Sequence, residues 1–395
     1  MPNFILPVLA VFALMSSPGL AQVAQGKKNV PEAQPAFANQ TRAPALRDSP
    51  NLKVDVIARG LRNPWGVEVL PDGRYLVTER PGALKLITLG EQPETVRGSP
   101  KVLAERQGGL LDVALADDFA TTKRIYLTYA KPMGGGTSAT AAATAILEDN
   151  PARLTGLKDI FVQTPPSPNP MHFGSRIVLK GPHAYITAGE HSSRSERVLA
   201  QDLRTTYGKV VRVTLDGGIP SNNPFRGQAG ALGEVYSYGH RNPQGAALHP
   251  RTGDLWTLEH GPKGGDELNR IQAGANYGWP VVSYGENYNG SPVNRGQTSA
   301  TGVTEPRYYW DPVIAPGGFT FYQGQKFDWN GDILAGSLNP GGLVRLKLDG
   351  DKVVGEARYL GELGRVRDVD VDRDGAILLL IDARSGGLVR VTPEG

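Results

Sequence analysis

The sequence predicts an all-β fold, a six-bladed β-propeller of four-stranded antiparallel sheets, and three observations carry that expectation. Glycine (50) and proline (31) make up 81 of 395 residues, about a fifth against the roughly one-eighth of average usage. Both are costly inside helices. Apolar and polar residues alternate over short runs, the period of half-buried strands. One theme, strand then Pro/Asp/Gly turn then strand, recurs six times along the chain. The repeat count disfavours a pair of β-sandwiches.

Taken from the N-terminus, Phe4 to Met15 is a nearly unbroken apolar run, followed by small residues at Gly19 and Ala21. It is too short to span a bilayer and reads as a signal peptide over 1–21, cleaved before Gln22, although no Lys or Arg precedes it. Export to the periplasm or medium is expected, with no stable membrane insertion. Residues 22–50, rich in Ala, Gln, Pro and Asn, read as a flexible leader. Residues 51–395 form the propeller.

The clearest repeat is Gly66-Val-Glu-Val-Leu-Pro-Asp-Gly-Arg-Tyr-Leu-Val-Thr-Glu-Arg80, with a hairpin turn at Asp72-Gly73. Counted from Val67, the next copies begin near Val113, Ile177, Ala246, Phe319 and Val369, at spacings of 46, 64, 69, 73 and 50 residues. A propeller blade takes roughly 40–50 residues, so the middle blades carry insertions. Function is expected where those insertions gather at one end of the channel. Segments 131–170 and 285–305 are the irregular insertions expected to set selectivity.

Composition removes several chemistries. There is no cysteine, so disulfides, thiolate metal sites and a thiol nucleophile are excluded. Lys and Arg exceed Asp and Glu only by 42 to 39, which argues against a dedicated nucleic-acid binder. No GxGxxG opening a helix, Walker loop or GxSxG elbow is present.

Of six histidines, His183 and His249 sit at turns beside proline and read as surface residues. His172 opens His-Phe-Gly-Ser-Arg176 after a proline-rich loop, where an imidazole can face the channel mouth as a general base. Gly189-Glu190-His191 brings a carboxylate to the same end of the same blade. Tyr238-Gly-His-Arg-Asn-Pro-Gln-Gly245 concentrates polar groups that are costly to bury without partners. In Glu259-His-Gly-Pro-Lys-Gly-Gly-Asp-Glu-Leu-Asn269, free carbonyls and nearby Asp266, Glu267 and Asn269 suit a hard cation such as Ca²⁺. Arg365 and Arg367 share one face of a strand, a fork for carboxylates or phosphates.

These segments together resemble the soluble quinoprotein glucose and aldose sugar dehydrogenases, the glucose/sorbosone dehydrogenase family. The resemblance runs from about Leu52 to Pro393. It rests on Asn-Pro-Trp-Gly (63–66), Gln-Gly-Gly-Leu-Leu-Asp (107–112), His-Phe-Gly-Ser-Arg (172–176) and Gly-His-Arg-Asn-Pro-Gln-Gly (239–245). Glu-His-Gly-Pro (259–262), Asn-Tyr-Gly-Trp-Pro (276–280) and Arg-Val-Arg-Asp (365–368) complete it. It implies a six-bladed propeller that uses pyrroloquinoline quinone (PQQ) and Ca²⁺ to oxidise aldoses at C1, passing electrons to a quinone or other acceptor. His172 is then the base for the C1 hydroxyl, with hydride going to PQQ, and Glu190 orients it. Gln107 and Arg241 stand beside substrate and quinone carbonyls. Asn242 contacts the cofactor, and Arg365 and Arg367 hold its carboxylates. The Gly261 and Pro262 carbonyls ligate the Ca²⁺ at the cofactor; Glu267 and the Tyr277 carbonyl match a second calcium site.

Two positions depart from the family pattern. Asn339 stands where the glucose enzymes place a lysine on a PQQ carboxylate, and His260 stands where they carry glutamine. Two other readings of the same propeller remain open on sequence: a Ca²⁺-dependent lactonase or hydrolase, and a non-catalytic carbohydrate-binding protein.

Overall fold

The repeats fold as six four-stranded antiparallel sheets in a computed structural model that describes residues 22–48 and 50–394. The expected signal peptide, 1–21, lies outside the described residues. The innermost strands are Pro64–Val69, Leu110–Leu115, Gly174–Lys180, Pro243–Leu248, Pro316–Phe321 and Val366–Val371. Each contains one of the repeat starts read from the sequence. Each innermost strand packs beside the next, and Val366–Val371 returns to Pro64–Val69, closing a propeller. The blades are numbered 1 to 6 in that order.

Blades 1 to 5 take their four strands consecutively from the chain. Blade 6 takes three, and its outer strand is Leu52–Leu61 from the other end of the propeller, paired antiparallel with Gly386–Pro393. The ring is thus fastened by backbone hydrogen bonds between its two ends. Every interface between blades has its own apolar cluster, six in all. Leu76 and Leu127, for example, meet between blades 1 and 2, and Phe321 and Leu258 between blades 4 and 5.

A second regularity was not visible in the sequence. Every innermost strand slips register against its neighbour near its start, between Pro64 and Val67 in blade 1 and at the matching place in the other five. Such bulges re-aim side chains and free backbone groups. In blades 1 to 3 a buried threonine of the second strand takes up the freed groups. Thr78, Thr128 and Thr187 each accept an N–H from the bulge of their own blade (Gly66, Asp112 and Arg176). Each also donates to a carbonyl of the following blade (Leu111, Ser175 and Pro243).

The channel is held together by charge. Arg176 of blade 3 donates to Asp112 of blade 2 at 2.7 Å and to Asp368 of blade 6 at 3.2 Å. Its Nε donates to Gln244 O of blade 4, and its guanidinium lies 4.6 Å from the Trp65 ring of blade 1. Burial opposes the charge, but Asp112 and Asp368 outweigh it and hold the guanidinium above its usual pKa. The carboxylates are themselves tied to backbone: Asp112 accepts from Ile177 N at 2.8 Å and Asp368 from Val67 N at 3.0 Å. Below this knot is a cavity of about 280 Å³ that Glu68 and Asp370 also line.

Three expectations change. Segment 131–170 is mostly regular: it falls largely within the long strands Arg124–Gly134, Thr137–Glu148 and Arg153–Val162 of blade 2. His249 is buried against Phe321 rather than exposed. The leader, at least over 22–48, has no long strand but lies against blades 4 and 5, where Ala45 bridges to Glu356 and Tyr309 N donates to Gln40 O. Its polar composition hid this, because most of its anchors are hydrogen bonds and its apolar contacts are a few scattered small residues. Among the described residues no helix is long and apolar enough to cross a membrane.

Replacing Arg176 with Met would leave two buried carboxylates unpaired. The expected loss is ~3–5 kcal/mol of stability, read from urea unfolding at neutral pH; a loss below about 1 kcal/mol, the scale of an exposed pair, would show that the channel does not depend on it.

Candidate active site

In an antiparallel hairpin the start of the first strand lies beside the end of the second. The segments before each innermost strand and after each second strand therefore gather at one mouth of the channel. Gln107, His172, Arg241, Asn242 and Arg365 come from the first set; Glu190, His260, Gly261, Pro262 and Asn339 come from the second.

His172 is buried, with a left-handed backbone (φ 45°), a strained conformation for a residue with a side chain. Gln107 holds it there, its Oε1 accepting from His172 N at 2.8 Å. Gly189 is required alongside, since a Cβ there would come within 1.9 Å of His172 O. That close approach delivers Glu190, whose Oε1 lies 3.2 Å from His172 Nδ1. A carboxylate only accepts, so the Nδ1 proton points at Glu190 and Nε2 carries the lone pair. Burial, then the charge of Arg241, pull the His172 pKa below its usual value, against the opposing effect of Glu190. Burial would raise the Glu190 pKa, but His172 and Arg241 offset this and keep it low. The result is a neutral imidazole backed by a charged carboxylate.

Arg365 and Arg367 converge on one group that sequence reasoning missed. Asp382, at the end of the second strand of blade 6, accepts from both at 3.0 Å. Burial alone would raise its pKa, yet Arg367 and Arg365 hold it at about 2. Burial also lowers the Arg367 pKa, an effect Asp382 only partly offsets. Two cations share one carboxylate, so the fork keeps a net positive charge. Gln244 was missed as well. Its Oε1 accepts from Arg367 at 2.7 Å and lies 3.1 Å from His260 Nε2, linking blades 4 and 6. Gln244 sits inside a segment read only as polar-rich, and nothing in the sequence marks Asp382.

Arg241, expected beside substrate and quinone carbonyls, also makes contacts within the protein. Its guanidinium donates to His260 O at 3.0 Å and Gly261 O at 2.7 Å, and lies 5.3 Å from the Trp279 ring. Asn242 uses its amide oxygen on Gly174 N at 3.0 Å. Asn339 is exposed at the rim; its backbone N donates to Ile314 O, and the adjacent Leu338 O accepts from Arg365. The remaining candidates do come together. Gly261, Pro262, Glu267 and Tyr277 line a single cavity of about 10 Å³ that Glu259 also faces, close to the smallest volume that admits one water. Burial and then Glu259 push the Glu267 carboxyl well above its usual pKa. Among the described residues no cluster of three or more His, Cys, Asp or Glu side chains is arranged for a metal, so a cation here would depend on carbonyls. Arg241 Nε, Arg367 Nε and Asn269 Oδ1 are buried without hydrogen-bond partners.

The other histidines are structural. His240 stacks on Tyr277 and lies 2.9 Å from both Glu259 Oε1 and Ser237 Oγ. Burial pulls the His191 pKa to about 4 between Phe173 and Tyr207. Beside the mouth, a groove of about 930 Å³ runs between Arg194–Gln201 and the 280–294 loop, with Tyr288 exposed on its rim. Arg197 joins it to the site, 5.3 Å from the same Trp279 ring.

Asp382→Asn is expected to lower stability at pH 7 by roughly 2 kcal/mol, the size of a shift from an unfolded value near 3.8 to about 2. Because the folded pKa is depressed, that contribution is present above pH ~4 and lost toward pH ~2. The gap between wild type and variant in chemical denaturation should therefore close over that range.

Known proteins share this architecture. The family model described as Glucose / Sorbosone dehydrogenase matches residues 61–390. Aldose sugar dehydrogenase YliI of Escherichia coli (strain K12) is 40% identical over 350 residues, 87% of this chain and 93% of its own. A crystal structure of a glucose dehydrogenase superposes with a TM-score of 0.84 at 43% identity, over 87% of this chain and 100% of that one. The PQQ-bound form of aldose sugar dehydrogenase from Streptomyces coelicolor gives 0.72 at 26% identity, over 88% of this chain and 100% of that one. With a match from the closing strand of blade 6 almost to its last residue, this chain belongs to the glucose/sorbosone dehydrogenase family.

Proposed function

We propose that this protein is an exported PQQ- and Ca²⁺-dependent aldose sugar dehydrogenase that oxidises the C1 hydroxyl of an aldose to the lactone and delivers the electrons to a quinone or similar acceptor. The observation that carries this reading is the placement, at one mouth, of a neutral imidazole backed by a carboxylate and an under-neutralised pair of arginines.

The residues present fit both groups. PQQ is a tricarboxylate, and Arg365 and Arg367 share only Asp382. The buried, unpartnered Nε donors of Arg367 and Arg241 suit its oxygens. His260, Asn242 and Asn339 would add neutral contacts. The Gly261 and Pro262 carbonyls would hold the Ca²⁺ nearest the cofactor, Gly261 O also accepting from Arg241. Glu267 with the Tyr277 carbonyl would hold a second ion, for which the cavity of about 10 Å³ that all four line would have to widen. When bound, PQQ supplies the two-electron acceptor for the C1 hydride and Ca²⁺ the Lewis acid that polarises it.

The protein's own part is proton handling and positioning. His172 Nε2 takes the C1 hydroxyl proton, and Glu190 holds Nδ1–H and stabilises the resulting imidazolium. Burial keeps His172 neutral at pH 7, so the base is ready before the sugar arrives. Gln107 keeps the strained His172 backbone from relaxing. The groove that Tyr288 borders offers an aromatic face and polar edges to the sugar's approach.

Titrating metal-free apoprotein with PQQ and Ca²⁺ should change the cofactor's absorbance and yield dye reduction with an aldose; lactone opening without PQQ would instead favour a hydrolase. His172→Ala should still take up PQQ but lose ~10²–10⁴ in kcat; unchanged turnover would remove His172 from the chemistry. In the wild type, the acid limb of kcat/KM should lie below the ordinary histidine value of 6.5. Glu190 raises the His172 pKa, so Glu190→Gln should move that limb to still lower pH while reducing kcat. A limb that moves up would contradict the assignment.

A further inference from the structure

Residues 22–48 meet the propeller most closely at one joint. Asp311, buried just after the outer strand of blade 4, accepts three hydrogen bonds from this strap: from Asn29 N at 2.8 Å, Asn29 Nδ2 at 2.9 Å and Val30 N at 2.9 Å. Arg42 closes the turn by donating to Gly26 O at 2.7 Å and Asp311 O at 2.9 Å. Val30 and Ala33 pack on the stacked rings of Tyr284 and Tyr309.

The loop that carries Gly261 and Pro262 rests on this joint. A Cβ on Gly264 would come within 2.7 Å of Asp311 Oδ1 and 3.4 Å of Asn29 Nδ2, and Gly265 N donates to Trp310 O at 2.8 Å. The loop is folded tightly on itself: a Cβ on Gly261 would meet the carbonyl oxygens of Gly264 and Gly265 at 2.3 Å each. Asp266 fixes the other side, accepting from Gly261 N at 2.8 Å and from Ala315 N at 2.7 Å. Gly264 and Gly265 therefore cannot shift without displacing Gly261.

We propose that Asn29, Val30 and Asp311 form a positioning device that sets the spacing of the Gly261 and Pro262 carbonyls for a divalent cation. This rests on the calcium reading given above. Carbonyl ligands carry no net charge, so the affinity of such a site depends on how well its oxygens are held in place before the ion arrives. The strap supplies that restraint from outside the propeller, through a carboxylate that never reaches the ion. Residues composed like a linker thereby become part of the cation site's support.

The test uses the full mature chain, stripped of metal with a chelator and titrated with Ca²⁺ at fixed excess PQQ, reading cofactor absorbance. Melting of the calcium-free protein is measured in parallel. Asp311→Asn turns one of the two acceptor oxygens into a donor that faces Val30 N, or both Asn29 N–H groups, and should raise the Ca²⁺ midpoint about tenfold, as loss of an outer-shell partner does elsewhere. Asn29→Ala, which removes one of the three bonds, should raise it less, in the same direction. Gln25→Ala is the control. It removes the strap's side-chain bond to Glu356 on blade 5 without touching the joint or the backbone bonds of Pro44 and Leu46 to Glu356, and should lower melting while leaving the midpoint unchanged. The proposal is overturned if Asp311→Asn melts lower with an unchanged midpoint, or if Gln25→Ala raises the midpoint as much. If the wild type takes up no Ca²⁺, the calcium reading itself falls, and the positioning role falls with it.

Discussion

The structure hangs on one guanidinium. A propeller's blades touch only their neighbours, so something in the channel must set the distance between blades that are not adjacent. Arg176 does this: from blade 3 it reaches Asp112, Asp368, Gln244 O and the Trp65 ring, on blades 2, 6, 4 and 1. Burying one cation between two carboxylates is tolerable because both carboxylates are also tied to backbone. The knot sits directly behind the mouth. Trp65 lies against Arg176 on one side, packs with Phe173 next to His172, and stands 6.0 Å from the Arg367 guanidinium. The charge that locks the fold and the charges that face a ligand are thus separated by a single indole.

What could be read from the sequence was whatever repeats locally. Period-2 alternation and turn residues located all six innermost strands, because each strand's burial is written in its own residues. Three things were hidden for physical reasons. Closure by Leu52–Leu61 pairs residues more than three hundred positions apart, and no local pattern encodes such a partner. The six bulges are backbone features that leave no compositional mark except a scattered threonine. The strap's own anchors are an Asn, a Val amide and an Arg, which composition counts as linker, and the Asp311 that receives them stands far off in the propeller. The same logic divides the site. His172, Glu190, Arg365 and Arg367 stood out because chemistry-bearing side chains sat in unusual contexts. Asp382 and Gln244 did not, since their importance lies only in what converges on them across blades.

Desolvation explains why the site is poised rather than merely assembled. His172 is kept neutral chiefly by burial, and the same burial leaves the Arg367 cation short of solvation, lowering its pKa. In water either group would be solvated and indifferent to a ligand. Buried, the imidazole is an available base, and the arginines are an unfinished charge balance that an anion would complete. Asp382 keeps the two guanidinium groups together without neutralising them. A second carboxylate in its place would stabilise the fold further and remove the attraction for a polyanion.

That balance also gives meaning to Asn339. A lysine there, as in the glucose enzymes the sequence resembles, would add a positive charge at the rim; the neutral amide leaves the anion to be met by Arg365, Arg367 and whatever cation occupies the carbonyl loop. Loss of one ionic contact weakens binding by ~1–3 kcal/mol, and the exposed rim position of Asn339 puts the effect toward the lower end, since solvent screens it. On the calcium reading proposed above, the divalent ion would then carry a larger share of the attraction than it would beside a lysine. A site that leans on its cation gains most from holding the carbonyl ligands rigid, and those carbonyls are braced by Asp266 on one side and by Asp311 with the strap on the other. On that reading the missing rim charge and the ordered strap would be two sides of one arrangement: affinity shifted from fixed charge at the surface to preorganised oxygen in the interior.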